Sequence, residues 1–551
     1  MNPERQRQSY PLPKMDRRLR ARARPNASDR RQTPRFVSNF PVKIHVGEGD
    51  NARVYNAIAR DVSDGGLLLE NIDVPPTETR IRVNFSVPEG VMPEEYSHGA
   101  YTFDGEVRRR DEKNRLLGVQ FQNPISMRLA RTTWQYLRWV ATLGLLVTMI
   151  LILLIKLENV YHFWFDVPVF LYSLAVGSYL ISRFLFAAFY RPPAPRRGEP
   201  PPVSIIFPVF NEEHYIERTL VQALEVDYPR EKLQVIAVND GSRDDTFRTM
   251  QRVQQRYPEL VLVNLERSMG KRGALAAGAQ LATGEILVLS DSDSFFQPDA
   301  IRRVVDGFVD PKVGAVTGQC DVENAWTNTL TKMQAVRYYI SFRVMKAAES
   351  VFDAVTCLSG PFAAYRRDIF MSVVEPWLNQ TWMGLPATFG DDRSLTNFVL
   401  KRGFRVIYDA RARCTTIVPE TYRDFLLQQI RWKRSWFRES LRACAFMWKW
   451  PPLASLSFYL GVLLPIAGPF VVFRALVYVP LYERGTPLMY MLGILLMSCL
   501  MSSVYLFARR SRLWFYGIPF CFFYMFVLVW QLPWAMLTFA HGRWGTRNCP
   551  R

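Results

Sequence analysis

Long apolar runs set the outer limits on what this chain can fold into. Residues 134–155, 163–190, 453–481 and 488–507 are each long enough to cross a hydrocarbon core, which takes about 20 helical residues. Arg191, Arg196 and Arg197 follow the second run and place the next segment on the cytoplasmic side. A further apolar stretch, 514–540, is broken by Gly517, Pro519 and Pro533. A full crossing there would leave Arg543, Arg547 and Arg551 outside, against the positive-inside tendency. The expectation is therefore four full spans plus one re-entrant or interfacial segment in a multi-pass membrane chain.

The formal charge of +19 over 551 residues fits this picture, because Lys and Arg accumulate on cytoplasmic segments. Polyanionic ligands are the other source of such an excess. The seven cysteines form no Cys-x-x-Cys pair, which excludes a disulfide framework and a zinc site. The first 35 residues are rich in Arg and lack the apolar core of a cleavable signal peptide.

Between the apolar runs the chain changes character. Residues 1–29 read as a basic disordered arm. Residues 30–125 hold six short β-rich stretches (40–46, 54–60, 66–70, 80–86, 102–108 and 116–121), a pattern that predicts a small β-barrel. Residues 134–190 are two spans. Residues 200–415 alternate strand and helix, which predicts a doubly wound α/β unit with a parallel sheet that binds ligands beyond the carboxyl ends of its strands. Residues 416–450 mix Trp432, Trp436, Phe437, Phe446, Trp448 and Trp450 with Arg and Lys, as interfacial amphipathic helices do. Residues 453–540 are membrane again, and 541–551 form a cytoplasmic tail.

Four constellations in 200–450 carry chemistry. Asp240 follows an apolar strand in Val-Asn-Asp-Gly-Ser, where a carboxylate faces a ligand crevice or merely closes an Asp-Gly turn. Ser290-Asp291-Ser292-Asp293 follows another strand; two carboxylates one residue apart can converge on a hard cation beside substrate phosphates. Gly390-Asp391-Asp392-Arg393 opens a helix, so its acids cap that helix or supply a general base. Gln428, Arg431 and Trp432 share one helical face, suited to a sugar or to anchoring at an interface.

In this order, these motifs resemble the processive family-2 glycosyltransferases with the GT-A fold, above all the hyaluronan, chitin and cellulose synthase type. Further matching segments are Pro208-Val209-Phe210-Asn211-Glu212, Gly270-Lys271-Arg272, Ser359-Gly360-Pro361 and Trp544-Gly545-Thr546-Arg547. The resemblance implies an inverting, membrane-bound hexosyltransferase that builds a β-linked exopolysaccharide from nucleotide-sugar donors, in particular UDP-sugars, and passes the growing chain through its own helices. It implies that Asp240 contacts the base, and that Lys271 and Asp291 hold the diphosphate. Asp293 would bind Mg2+ or Mn2+, and Asp392 would be the catalytic base. Gln428, Arg431 and Trp432 would line the acceptor and diphosphate site, and Trp544, Gly545, Thr546 and Arg547 would gate the nucleotide from inside. Periplasmic export proteins would be further partners; no nucleic acid polymer is implied. Hyaluronan, a glucan, a chitin-like chain and another uronic-acid polymer all stay open.

The N-terminal segment carries a second resemblance. Arg31-x-x-x-Arg35, Asp61-x-Ser63-x-x-Gly66 and the closing Leu117-Gly118-Val119-Gln120-Phe121 resemble the PilZ domain, a β-barrel that binds cyclic-di-GMP. Arginine forks stack on guanine and pair with phosphate. The implied role is allosteric activation of the transferase. Cellulose synthase is similar in carrying such a sensor, but there it follows the membrane region. Two other functions remain: a non-processive transferase acting on a lipid phosphate, and a catalytically inactive sensor or secretion protein.

Overall fold

A computed structural model describes residues 35–47, 53–70, 80–87, 100–111, 115–122, 125, 133–162, 167–387, 389–509 and 511–539. Arg31 and the Trp544, Gly545, Thr546 and Arg547 segment lie outside the described residues, as does the basic arm 1–29.

Six strands close an N-terminal barrel: β1 (Arg35–Val46), β2 (Arg53–Ser63), β3 (Gly66–Glu70), β4 (Arg80–Ser86), β5 (Ala100–Asp111) and β6 (Leu116–Phe121). Their order is β1-β2-β3-β6-β5-β4, with β1 pairing back onto β4. Every predicted strand exists, and β1, β2 and β5 run several residues further than their hydrophobic stretches. Alternation fills the interior with Phe40, Val42, Ile44, Val83, Phe85, Phe103 and Phe121, all nearly inaccessible. The Phe103 and Phe121 rings stack at 4.6 Å.

The second unit is an eight-stranded sheet of β7 (Val203–Val209), β8 (Leu233–Asn239), β9 (Val261–Asn264), β10 (Ile286–Leu289), β11 (Ser294–Phe296), β12 (Val313–Val322), β13 (Ala363–Arg366) and β16 (Arg405–Thr416), in the order β11-β16-β12-β13-β10-β7-β8-β9. A small hairpin, β14 (Thr381–Trp382) with β15 (Leu385–Pro386), stands apart. The strands β7, β8 and β10 are buried on both faces, which is why they read as unbroken apolar runs.

The sheet is mixed rather than wholly parallel. β10-β7-β8-β9 and β12-β16 are parallel, while β13 runs antiparallel to both of its neighbours and β11 antiparallel to β16. The chain enters β13 directly from the Ser359-Gly360-Pro361 turn, at the end of the sheet where β7, β8 and β10 finish. It therefore leaves that edge where its neighbours arrive.

Four helices are long and apolar enough to cross a membrane: Leu137–Glu158, Val167–Phe189, Pro452–Tyr482 and Leu488–Arg509. The interrupted stretch is a pair of helices, Arg512–Leu528 and Gln531–Leu537, bent by 43°. Polar contacts fasten the sheet unit to these helices. Tyr190 donates to the Tyr408 carbonyl at 2.9 Å, and Arg509, closing the helix Leu488–Arg509, pairs with Asp321 on β12. The aromatic-rich stretch is one helix, Tyr422–Met447, whose Arg438 and Glu439 form a fully buried ion pair. Asn397 binds that helix at the Glu439 carbonyl, 2.9 Å away.

Candidate active site

β8 and β10 are parallel and deliver their carboxyl ends to one edge of the sheet. Asp240 follows β8 and Asp291 follows β10, so the topology itself brings them together. A cavity of about 1390 Å³ opens there, lined by Asp240, Lys271, Asp291, Asp293, Asp392, Gln428, Arg431 and Trp432. It continues to Tyr179, Ser457, Phe458 and Pro465 on two of the apolar helices. A single small-molecule pocket spans roughly 300–1,000 Å³. This one has room for a nucleotide sugar and part of a sugar chain.

Asp240 is 4% exposed and accepts from Ser268 Oγ at 2.7 Å and from the Met269 amide at 2.6 Å. Burial pushes its carboxyl up, and those donors pull it partly back. Lys271 Nζ donates to Asp291 Oδ1 at 2.5 Å and lies 3.8 Å from Asp392 Oδ1. Burial works against its charge, but Asp291, Asp392 and Asp391 together outweigh it and raise the ammonium above its ordinary value. Asp293 accepts weakly from Thr416 Oγ1 at 3.4 Å, at the end of β16.

Asp392 stands in the first turn of the helix Asp391–Lys401 and accepts the Gly360 amide at 3.0 Å. Its side chain is 37% open and lines the cavity. The protein packed around it strips water from the carboxylate and raises its carboxyl above the ordinary value. Lys271 and the Gly360 amide counter the shift, while Asp291 and Asp391 add to it. Gly360 leaves room for this approach: a Cβ there would meet Asp291 Oδ2 at 2.8 Å and Lys271 Nζ at 2.9 Å and displace those side-chain ends. Lys346 supports the same turn from behind, donating to Cys357 O and Ser359 Oγ, both at 2.7 Å.

Gln428, Arg431 and Trp432 face the cavity from the helix Tyr422–Met447. Gln428 Oε1 and Arg337 Nη1 are buried with no hydrogen-bond partner among the described residues, and the Arg337 guanidinium lies 5.6 Å from the Trp432 ring centroid. Buried polar groups left open in this way are what a polar ligand satisfies. Arg337, Ser341, Lys346 and Glu349 also line the cavity, and no sequence motif pointed to them. The available signal was a helical stripe of polar residues through 337–349, running over a π-helical stretch, Ser341–Lys346.

Among the described residues no cluster of three His, Cys, Asp or Glu side chains could hold a metal. Asp291 and Asp293 are two oxygen donors on one wall of the cavity. That set fits Mg2+ or Mn2+, which keep waters and take the remaining ligands from substrate phosphates. At the barrel, the β1–β2 register sets Arg35 against Ser63 and Val37 against Asp61, and Ser63 against Gly66 across the β2–β3 turn. The candidate cyclic-di-GMP residues Arg35, Asp61, Ser63 and Gly66 thus gather at one end of the barrel.

Comparison with known proteins agrees with both units. Residues 200–435 match the family model "Glycosyltransferase like family 2", and residues 29–139 match the PilZ domain. An N-acetylglucosaminyltransferase of Rhizobium meliloti is 36% identical over 280 residues, 50% of this chain and 66% of that one. A hyaluronan synthase of Streptococcus pyogenes is 29% identical over 389 residues, 69% of this chain and 90% of that one. A mannosyltransferase of Pyrobaculum calidifontis, solved with GDP-mannose and Mn2+, superposes with a TM-score of 0.47 at 23% identity, covering 65% of this chain and 99% of that one. The chain is a glycosyltransferase of family 2 that carries an N-terminal PilZ domain.

Proposed function

We propose that this enzyme is a processive, inverting β-glycosyltransferase that polymerises an exopolysaccharide from nucleotide-sugar donors, moves it through its own helices, and is activated by cyclic-di-GMP. One observation carries the reading. A single cavity is lined at one end by Asp240, Asp291, Asp293 and Asp392, and at the other by residues of helices apolar enough to span a membrane. The site lies on the cytoplasmic side of the inner membrane, with the barrel, the sheet unit and the tail inside the cell.

In this mechanism Asp240 reads the base of a UDP-sugar, and Lys271 turns from Asp291 toward the donor diphosphate. Asp291 and Asp293 would hold a divalent cation, whose charge would offset that of the leaving diphosphate. Gln428, Arg431 and Trp432 hold the acceptor end of the polymer, the indole stacking on a sugar ring. Asp392 takes the proton from the acceptor hydroxyl. That oxygen forms its bond to the anomeric carbon as the bond to the nucleoside diphosphate breaks and the electron pair leaves with it. One displacement inverts the centre, so an α-linked donor gives a β linkage.

The test is product length from the purified full chain, supplied with UDP-sugars singly and in pairs, with Mg2+ or Mn2+ and with cyclic-di-GMP. A polymer supports the proposal. Addition of one sugar to a lipid phosphate, with no longer product, overturns it.

The raised Asp392 carboxyl has a consequence for pH. A base works only when ionised, so its rate contribution is complete above its pKa and is lost as pH falls through it. The acid limb of kcat/KM, which reports the free enzyme, should therefore lie above the ordinary Asp value of about 3.9. A limb at the ordinary value would remove Asp392 from this role.

For the sensor, the ratio of rates with and without cyclic-di-GMP decides. Asp61→Ala takes away a carboxylate suited to a guanine edge, and should bring that ratio to about 1 with at least a tenfold loss of dinucleotide affinity, as expected when a charged hydrogen bond is removed. An unchanged ratio would dissociate the barrel's Asp-x-Ser turn from activation.

A further inference from the structure

The candidate base sits beside a second acid, Asp391, which borders the same cavity but is only 5% exposed. Its partner is Arg272, itself 7% exposed. Arg272 Nε donates to Asp391 Oδ1 at 2.5 Å, Nη1 to the Trp377 carbonyl at 2.8 Å and to Gln380 Oε1 at 3.0 Å, and Nη2 to Ser394 Oγ at 3.2 Å. The guanidinium also lies 5.3 Å from the Trp377 ring centroid. Trp377 Nε1 closes the network by donating to Ser394 Oγ at 2.8 Å.

What makes this network more than core packing is its place in the chain. Arg272 directly follows Lys271 at the start of the helix Gly270–Leu281. Lys271 reaches Asp291 and Asp392 on the cavity side. Just upstream, Ser268 and Met269 donate to Asp240. Five consecutive residues thus touch all the acids of both half-sites except Asp293: Asp240 and Asp291 on the nucleotide side, Asp391 and Asp392 on the acceptor side.

We propose that Arg272 is a positioning residue: by clamping Asp391 it fixes where Asp392 stands relative to the Ser268–Lys271 segment, so that the donor and the acceptor base keep one spacing. This rests on the reading of Asp392 as the base. Arginine is suited to it and lysine is not. A planar fork satisfies four acceptors while stacking on an indole, whereas an ammonium has three donors on a flexible stem. The clamp holds geometry without touching substrate. Its loss therefore lowers the rate of transfer rather than the affinity for donor.

The experiment compares Arg272→Lys, Ser394→Ala and Asp392→Asn in the full-length chain in lipid nanodiscs, reading kcat, donor KM and UDP affinity. Arg272→Lys keeps the charge but loses the fork; kcat should fall about 100-fold, the size of effect that a displacement near 1 Å produces. Donor KM and UDP affinity should stay within about threefold, the pattern of a lost transition-state interaction. Ser394→Ala deletes three hydrogen bonds, those from Arg272 and Trp377 and its own to the Asp391 carbonyl, and strands no charge. It should give the same signature at smaller size, and it serves if Arg272→Lys does not fold. Wild-type kcat in a folded Arg272→Lys, or losses that follow donor KM and UDP affinity instead of kcat, overturn the clamp. The two readings fail separately. An active Asp392→Asn removes the base assignment and the clamp built on it. A dead Asp392→Asn beside fully active Arg272→Lys and Ser394→Ala removes the clamp alone.

Discussion

Asp392→Asn should lower polymer synthesis by roughly 10²–10⁴-fold, the range contributed by a positioned general base. The amide is nearly isosteric, and its oxygen can still accept from the Gly360 N–H, whose nitrogen lies 3.0 Å from Oδ2 in the native site. The turn therefore keeps its shape and loses only its charge. Lys271 remains paired with Asp291 at 2.5 Å, and Asp240 remains held by Ser268 and Met269. UDP affinity should accordingly change little while the rate of UDP release at saturating donor and acceptor collapses. That split separates loss of a base from loss of a binding site. Turnover within about tenfold of the parent would leave less than a general base ordinarily supplies, and proton removal would have to be assigned elsewhere.

Much of this arrangement was legible in the residues because the chemistry is carried by strand ends. An apolar run followed at once by Asn239-Asp240-Gly241, and another followed by Ser290-Asp291, place carboxylates at one sheet edge as soon as the strands are parallel. The barrel was legible for a similar reason. Alternation fixes which side chains face inward, so the six hydrophobic stretches found their strands. Three things were not legible. The reversed β13 reads like any short apolar strand, Ala-Ala-Tyr-Arg, and its direction depends on where the preceding turn lies in space. The cavity wall of Arg337, Lys346 and Glu349 lies along a helical segment with no motif, and its polar stripe has meaning only once the opposite wall is known. The network around Arg272 was hidden because its partners are 105 to 122 residues away, and nothing in local spacing predicts a contact over that distance.

Gly390→Ala should be nearly as damaging as removal of the base, although it deletes nothing. Gly390 sits at φ 80° and ψ 39°, immediately before the helix that starts at Asp391. In that left-handed region a side chain costs about 1–2 kcal/mol by itself. The larger problem is space. A Cβ there would lie 1.7 Å from Ser435 Oγ, 2.6 Å from Ser435 Cβ and 3.3 Å from Arg438 Nη2. A hydroxyl can rotate aside, but Ser435 Cβ moves only with its backbone. That backbone belongs to the helix Tyr422–Met447, which carries Gln428, Arg431 and Trp432. The helix cannot yield freely, since Arg438 is fastened to the Phe389 carbonyl and the Glu439 carbonyl accepts from Asn397. Either the acceptor wall or the Asp391-Asp392 turn must therefore shift, and a displacement near 1 Å is enough for about a 100-fold loss of transfer rate. Ser435→Gly tests the cause. In the double variant Gly390→Ala with Ser435→Gly, the clash with Ser435 is gone, and what remains is the backbone strain and a 3.3 Å approach to the mobile end of Arg438. Transfer should return to within about tenfold of the parent, as expected when roughly 1–2 kcal/mol of strain persists. Two damaging changes that partly cancel are the mark of direct contact. If the double variant is as inactive as Gly390→Ala alone, the packing of this turn against the acceptor helix is not what positions Asp392.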